Sequence, residues 1–152
     1  MADIHIRPLG SGDLTDAASL LYTLNPETPA TVIEDRLQAI LADHSHYELI
    51  GAFSGKSLVG LAGAWIATKI WCGRYLEIDN LVVDPANRST GIGTLLIKHL
   101  EAIARKQDCR IIVLDSYAAN YASHRLYHRL GFEIWSFHFI KPIGDWKGTG
   151  SS

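Results

Sequence analysis

The sequence predicts a mixed α/β sheet rather than a purely alternating parallel one, and three observations predict it. Two amphipathic helical stretches come early, separated by Pro26 and Pro29. Three strand-like runs follow between residues 47 and 83 with no helix between them. The remainder alternates helix, strand, helix, strand up to Ile140. That order joins hairpin-like and alternating connections in one sheet.

Each element has its own signal. Ile4 and Ile6 alternate with polar residues, which reads as a short strand ended by Pro8. Residues 11–24 are helical, with Leu14, Ala17, Ala18, Leu21 and Leu24 on one face. A second helix follows Pro29, with Thr31 and Glu34 spaced as a capping box and Ile33, Leu37, Ile40 and Leu41 as its apolar stripe. Residues 47–53 and 57–68 read as a hairpin around Ser54-Gly55-Lys56, and residues 74–83 as a third strand stopped by Asp84-Pro85. Residues 91–106 form a strong helix with Ile92, Leu95, Leu96, Leu100 and Ile103 inward. The wholly apolar end of residues 110–114 suits the centre of a sheet. Residues 120–130 are a helix ended by Gly131 in a left-handed conformation, and residues 132–140 are a last strand stopped by Pro142.

Composition narrows the function classes. With 152 residues, 47% hydrophobic and 20% charged, the chain fits one globular domain, taken as residues 1–147, with a frayed tail at residues 148–152. A net charge of −2 offers no basic surface for nucleic acid. The N-terminus lacks a basic start followed by an apolar run, and the longest apolar stretch, residues 58–67, is interrupted by Gly60 and Gly63. The expectation is a cytoplasmic protein without a membrane partner. Cys72 and Cys109 form no CxxC pair and read as two reduced thiols. His124 and His128 are four apart on a helix, as zinc ligands can be, but no third ligand is evident, so no metal is expected.

The most informative segment runs from Val82 through Asp84-Pro85-Ala86-Asn87 to Arg88-Ser89-Thr90-Gly91-Ile92-Gly93. A strand ends, a polar loop turns, and a glycine-rich helix start follows. Backbone N–H groups at a helix N-terminus have no intrahelical partner and, with the helix dipole, favour an anion. Gly91 and Gly93 let a phosphate approach the backbone closely, and Arg88 adds positive charge. The third glycine of a dinucleotide fingerprint would fall at Leu96, and no Gly-Lys-Ser/Thr follows as in a Walker loop. On the glycines alone, tight helix–strand packing explains the segment equally well.

A family resemblance changes that balance. Arg88-Ser89-Thr90-Gly91-Ile92-Gly93 resembles the R/Q-x-x-G-x-G/A motif of the GNAT acyltransferase superfamily. Asn120, Ala122, Tyr127 and Gly131-Phe132 resemble that family's N-x-A-x4-Y-x3-G-F run. The element order is similar as well, so the resemblance covers residues 4–140. It implies a splayed, mostly antiparallel sheet with helices on both faces. It also implies acetyl-CoA as co-substrate, with the pantetheine arm against Leu81 and Val83. The pyrophosphate would lie on the loop from Arg88 through Ser89, Thr90, Gly91, Ile92 and Gly93 to Thr94. Asn120 matches a position whose amide touches the arm, and it also suits a plain helix cap.

Acyl transfer to an amine needs a neutral nucleophile, a stabilised oxyanion and a proton for the leaving sulfur. By resemblance, backbone N–H near Leu81 serves the oxyanion and Tyr127 the sulfur. A tyrosine on an amphipathic helix is otherwise a core residue with its hydroxyl at the rim. Glu77 and Asp79 lie on the strand before the loop and share a face by period 2, unless a bulge intervenes. Glu77 matches the catalytic glutamate of the histone-type enzymes. Counting back from Arg88, Asp79 matches the carboxylate of diamine acetyltransferases, which Tyr75-Leu76-Glu77 also resembles with a spacing two residues different. Either carboxylate suits a base or a charge that binds an ammonium, and the two remain alternatives.

The expected acceptor is a small cationic amine, a polyamine or amino sugar, or a lysine-like side chain. A catalytically silent acyl-CoA sensor would keep the loop without Tyr127 or the carboxylates, and a nucleotide-binding α/β protein would use the same loop. Residues 132–140 put apolar side chains on both faces of the last strand, Trp135 and Phe137 among them. Such a patch predicts a homodimer through the C-terminal strands, as is frequent in the family it resembles.

Overall fold

The computed structural model describes residues 3–146, so the expected tail at 148–152 lies outside the described residues. Two compact units divide the chain, Met1–Leu114 and Asp115–Ser152.

The first unit is built on a five-stranded sheet: β1 (Ile4–Pro8), β2 (Tyr47–Ser54), β3 (Ser57–Lys69), β4 (Gly73–Val83) and β5 (Ile111–Leu114), in the order β1-β2-β3-β4-β5. The first three pairings are antiparallel and β4 with β5 is parallel. The sheet is therefore mixed, as the order of sequence signals predicts, and mostly antiparallel and open, as the family resemblance implies. Gly55 at φ +60 closes the β2–β3 hairpin in a two-residue turn, a conformation glycine adopts without steric cost.

Helices cover both faces. Helices α1 (Leu14–Tyr22) and α2 (Ala30–Asp43) bury Leu14, Ala17, Leu21, Ile33 and Leu37 in one cluster with Leu49, Leu61 and Val82 of the sheet. Gly60 and Leu61 point to opposite faces, as neighbours on a strand must. A Cβ on Gly60 would meet Ile92 Cγ2 at 2.9 Å and Leu96 Cδ1 at 3.3 Å, so α3 (Ile92–Lys106) lies on the second face. The absence of a side chain at Gly60 is what lets the first turn of α3 sit against the strand.

Several local expectations are corrected. Pro29, with φ −55, precedes α2 directly, so Thr31 falls inside the helix and caps nothing; Glu34 instead accepts from the Thr15 hydroxyl at 3.2 Å. Leu95 was expected inward but is 43% exposed, because the buried face of α3 centres on Ile92, Leu96, Ile97 and Leu100. Strand β5, expected at the centre, is the last strand in the order and only half-buried: its apolar run reflects one parallel neighbour and not two.

The second unit holds α4 (Tyr121–Arg129), capped by Asn120, whose Oδ1 accepts from Ser123 N at 3.3 Å. Gly131 follows at φ +89, the expected left-handed end. Residues 132–140, expected as a last strand, form none. A strand exists only with a ladder partner, and these residues have none among the described residues. Phe137 is 83% and Phe139 91% exposed, and Ile134, Trp135 and Ile140 are exposed too.

Candidate active site

The phosphate-type loop is built from local chain chemistry. Asp84 ends β4, and its Oδ1 accepts from Ala86 N at 3.0 Å, opening a single 3-10 turn at Pro85–Asn87. Arg88 is extended and exposed, Ser89 is left-handed at φ +62, and the Thr90 hydroxyl donates to the Asn87 carbonyl. Gly91 then sits at φ +85 as the N-cap of α3. A Cβ there would meet nothing within 4 Å, so the backbone conformation, not space, requires glycine. The first intrahelical bond is Leu95 N to Gly91 O, which leaves the N–H groups of Ile92, Gly93 and Thr94 without carbonyls to reach. Arg88, Ser89, Thr90, Gly91, Ile92, Gly93 and Thr94 thus form one continuous turn and helix start.

Beside it the sheet splays. Strand β5 pairs with β4 only at Tyr75–Ile78, so β4 has no ladder partner on that side from Asp79 onward among the described residues. Which groups face the opening follows from the other edge. Asp84 N bonds Val59 O at 2.8 Å, making that position a hydrogen-bonded pair. Antiparallel pairs alternate, so Gly60↔Val83 and Ala62↔Leu81 are the non-hydrogen-bonded ones. The N–H and C=O of both Leu81 and Val83 therefore point away from β3 into the opening. These are the two residues that the family resemblance implies, and an extended, amide-bearing arm fits them as an added strand would.

The carboxylates lie where a bulge puts them. Gly63 pairs with Asn80 but Ala64 with Ile78, so Asp79 is an extra residue in β4. Period 2 alone would put Asn80 opposite Glu77. The bulge brings Glu77, opposite Trp65, and Asn80, opposite Gly63, to the α1/α2 face. Asp79 also reaches that face: Oδ1 accepts from the Tyr47 hydroxyl at 2.8 Å and Oδ2 from Trp65 Nε1 at 2.9 Å. Burial, together with the Asp79 charge and hydrogen bond, pushes the Tyr47 phenol far above its usual range, so it donates. The ring of Tyr47 packs edge-on to Trp65 at 4.5 Å, and His44 closes on Trp65 at 5.2 Å. A Cβ on Gly63 would meet Tyr47 Oη at 1.9 Å, so the phenol crosses the strand where there is no side chain. Tyr47 and Gly63 were not singled out from the sequence as parts of a site. The only signal was a glycine interrupting an apolar strand, which marks a close approach without naming what approaches.

In the second unit, Tyr127 lies half-buried on α4 against Phe132, ring centroids 5.9 Å apart. Burial raises its phenol and the Ser123 hydroxyl lowers it, with the net effect upward, so Tyr127 carries its proton at neutral pH. Asn120 is engaged as a cap through its oxygen, leaving its amide nitrogen as a donor. The α4 histidines have local partners: His124 Nε2 donates to Tyr117 O at 2.9 Å and His128 Nδ1 to Phe132 O at 3.1 Å. Among the described residues no three His, Cys, Asp or Glu side chains could hold a metal, Cys72 and Cys109 are free thiols, and no helix is long and apolar enough to cross a membrane.

Comparison with known proteins bears on this geometry. The Acetyltransferase (GNAT) family profile matches residues 14–132. The chain is 25% identical over 134 residues to an aminoglycoside N(6')-acetyltransferase of Acinetobacter haemolyticus, covering 86% of this chain and 91% of that protein. It is 29% identical to a glucosamine 6-phosphate N-acetyltransferase of Trypanosoma brucei brucei, covering 87% and 90%. In three dimensions it overlays an aminoglycoside N-acetyltransferase crystallised with CoA at a TM-score of 0.84, with 21% identity and 94% and 96% of the two chains covered. A family profile spanning most of the sequence, on a sheet that splays beside a glycine-capped helix start, leads to one assignment: the chain belongs to the GNAT family of acetyl-CoA-dependent N-acetyltransferases.

Proposed function

We propose that the protein transfers the acetyl group of acetyl-CoA to a primary amine by direct attack in a ternary complex, with residues 1–147 acting as one acetyltransferase domain. The observation that carries this reading is the open edge of β4, where Leu81 and Val83 present free backbone groups beside the first turn of α3. When bound, acetyl-CoA supplies the thioester. Leu81 and Val83 hold its pantetheine arm in strand-like register, and the Leu81 N–H stabilises the oxyanion. Arg88 and the N–H groups from Ser89 to Thr94 hold the pyrophosphate. Asn120 keeps its cap and donates its amide to the arm.

Two further assignments go to the carboxylates. Both Asp79 oxygens are held by Tyr47 and Trp65, which fixes a negative charge in one place and suits it to bind the ammonium of the acceptor. Glu77 has no side-chain hydrogen bond or ion pair among the described residues, so it is free to take the amine proton through water. Tyr127 Oη, protonated at neutral pH, gives its proton to the departing sulfur. The relatives' acceptors, aminoglycosides and glucosamine 6-phosphate by their names, are small amines and support this class. Calorimetry with acetyl-CoA and thiol release across a panel of amines test the reading. Rates that rise toward pH 8–9 are expected. Failure to bind any CoA thioester sinks it, and binding without thiol release from any amine would leave a binding-only protein.

The protein is further proposed to act as a cytoplasmic homodimer. Support comes from the exposed apolar side chains of residues 132–140 and from β5, whose outer edge has no ladder partner among the described residues. Light scattering over a dilution series should give twice the 16.8 kDa chain mass, falling to that mass in Phe137→Glu. A wild-type monomer at micromolar concentration rejects the dimer.

A further inference from the structure

A cleft of about 190 Å³ opens between α1, α2 and β4. It is smaller than pockets that enclose a whole ligand, roughly 300–1,000 Å³, so it suits one group of a larger molecule. Its polar lining is Asn25, Thr28, Arg36 and Asn80, and none of its lining residues is acidic. Arg36 is three residues from Ile33 and four from Ile40 in α2, and both also line the cleft, so all three share the helix face turned to it. No carboxylate lies within ion-pair distance of Arg36 among the described residues. An unpaired guanidinium flanked by a hydroxyl and amides, with no acidic neighbour in the cleft, is the donor set that recognises an oxyanion.

The cleft also has a fixed relation to the carboxylates. Asn80 lines it and directly follows the bulged Asp79. Asp79 accepts from the Tyr47 phenol at 2.8 Å, and Asn80 shares the α1/α2 face of the sheet with it. Asp79 thus supplies a negative pole and Arg36 a positive one, and Asn80 links them, lining the cleft with Arg36 and following Asp79 in the chain. We infer that the cleft binds an oxyanion, a carboxylate or phosphate carried by the acceptor itself, so that the substrate is an amine bearing its own acidic group. This rests on the acetyl-transfer reading above and narrows it. A plain polyamine would bring a second cation toward Arg36 and be disfavoured, whereas an amino acid or a phosphorylated amino sugar satisfies both poles.

The test uses the full chain with saturating acetyl-CoA and two matched pairs: glucosamine with glucosamine 6-phosphate, and cadaverine with lysine. The acid-bearing member of at least one pair should show kcat/KM roughly 10- to 100-fold above its partner, mainly through KM. Arg36→Gln should bring that ratio close to one, and Arg36→Lys should keep part of it. Arg36 is exposed, so thermal melts should show both variants folded. A preference in the sugar pair identifies phosphate, and one in the lysine pair identifies carboxylate. No preference, a preference for the members lacking an acid, or a preference that survives Arg36→Gln overturns the inference. If none of the four releases thiol, calorimetry on the CoA-loaded chain separates the claims. Binding of an acid-bearing member that Arg36→Gln abolishes upholds the cleft while the transfer reading fails. Equal or undetectable binding across the pairs overturns the cleft.

Discussion

Replacing Gly63 by alanine should break the Asp79 clamp while leaving the phosphate loop untouched. The added Cβ would stand 1.9 Å from Tyr47 Oη, 2.7 Å from Tyr47 Cζ and 3.1 Å from Asp79 Oδ1. Real Cβ atoms do not approach so closely, so the ring must leave. Tyr47 is 7% exposed and packs on Trp65, so its displacement is an overpacking cost of about 1–3 kcal/mol. The lost hydrogen bond to Asp79 adds about 1 kcal/mol, kept low because Asp79 is exposed. Gly63→Ala should therefore cost about 2–4 kcal/mol, and Tyr47→Phe about 1 kcal/mol. The double variant removes the worst contact, that with the hydroxyl, so it should be less destabilised than the sum by about 1 kcal/mol or more. Urea unfolding at constant m gives all three values. In turnover assays Tyr47→Phe should raise KM for the amine and leave acetyl-CoA affinity unchanged, since only the carboxylate is loosened. Additivity within about 0.5 kcal/mol, or a Gly63→Ala variant as stable as wild type, would refute the clamp.

Tyr127→Phe should lower kcat by roughly 10- to 1000-fold with acetyl-CoA affinity nearly intact, and wild-type turnover would make Tyr127 structural only. Gly91→Glu should abolish acetyl-CoA binding in calorimetry. Gly91→Ala, carrying the same strain at φ +85 but facing open space, should retain binding; equal loss in both would point to the backbone alone. Asp13, paired with Arg7 at 2.8 Å and bonded to Gly10 N, has its carboxyl lowered to about 2 from an ordinary 3.8. Its contribution is fully present above the ordinary value and is lost as pH falls from about 4 to about 2. Asp13→Asn should lower the melting temperature slightly at pH 6 and converge with wild type near pH 2. A gap that stays constant down to pH 2 would exclude the linkage.

The parts of this molecule set by local chain chemistry were legible in the sequence. Pro8, Asp84-Pro85 and Gly131 punctuate where expected, and the cap at Asn120 forms. The loop from Arg88 to Gly93 has the turn and helix start that its residues dictate. What was hidden depends on a partner segment. The strand expected at residues 132–140 needs a neighbouring edge, and hydrophobic alternation cannot say whether one exists. The edge position of β5 is a matter of topology, to which Ile111, Ile112 and Val113 carry no local clue. Nothing local in the sequence pairs Tyr47 and Trp65 with Asp79, because their hydroxyl and indole N–H reach it only across three paired strands.

The bulge at Asp79 ties these threads together. A regular β4 would pair every residue with β3 and leave Asn80 facing α3. With one residue inserted, the register changes between Ile78 and Asn80, at the point where β5 stops pairing. The change has two consequences. Before it, Glu77 faces α1 and α2. After it, Asn80 faces them too, while Leu81 and Val83 turn their backbone groups to the open edge. The extra residue itself supplies the carboxylate that Tyr47 and Trp65 hold. The charges of Glu77 and Asp79 and the open-edge backbone of Leu81 and Val83 thus come from seven consecutive residues of one strand. In the acetyl-transfer reading proposed above, an amine from the helix side and a thioester from the splayed edge would meet at that short stretch of backbone. The two glycines of β3 serve this arrangement together: Gly63 makes room for the phenol that holds Asp79, and Gly60 makes room for the first turn of α3.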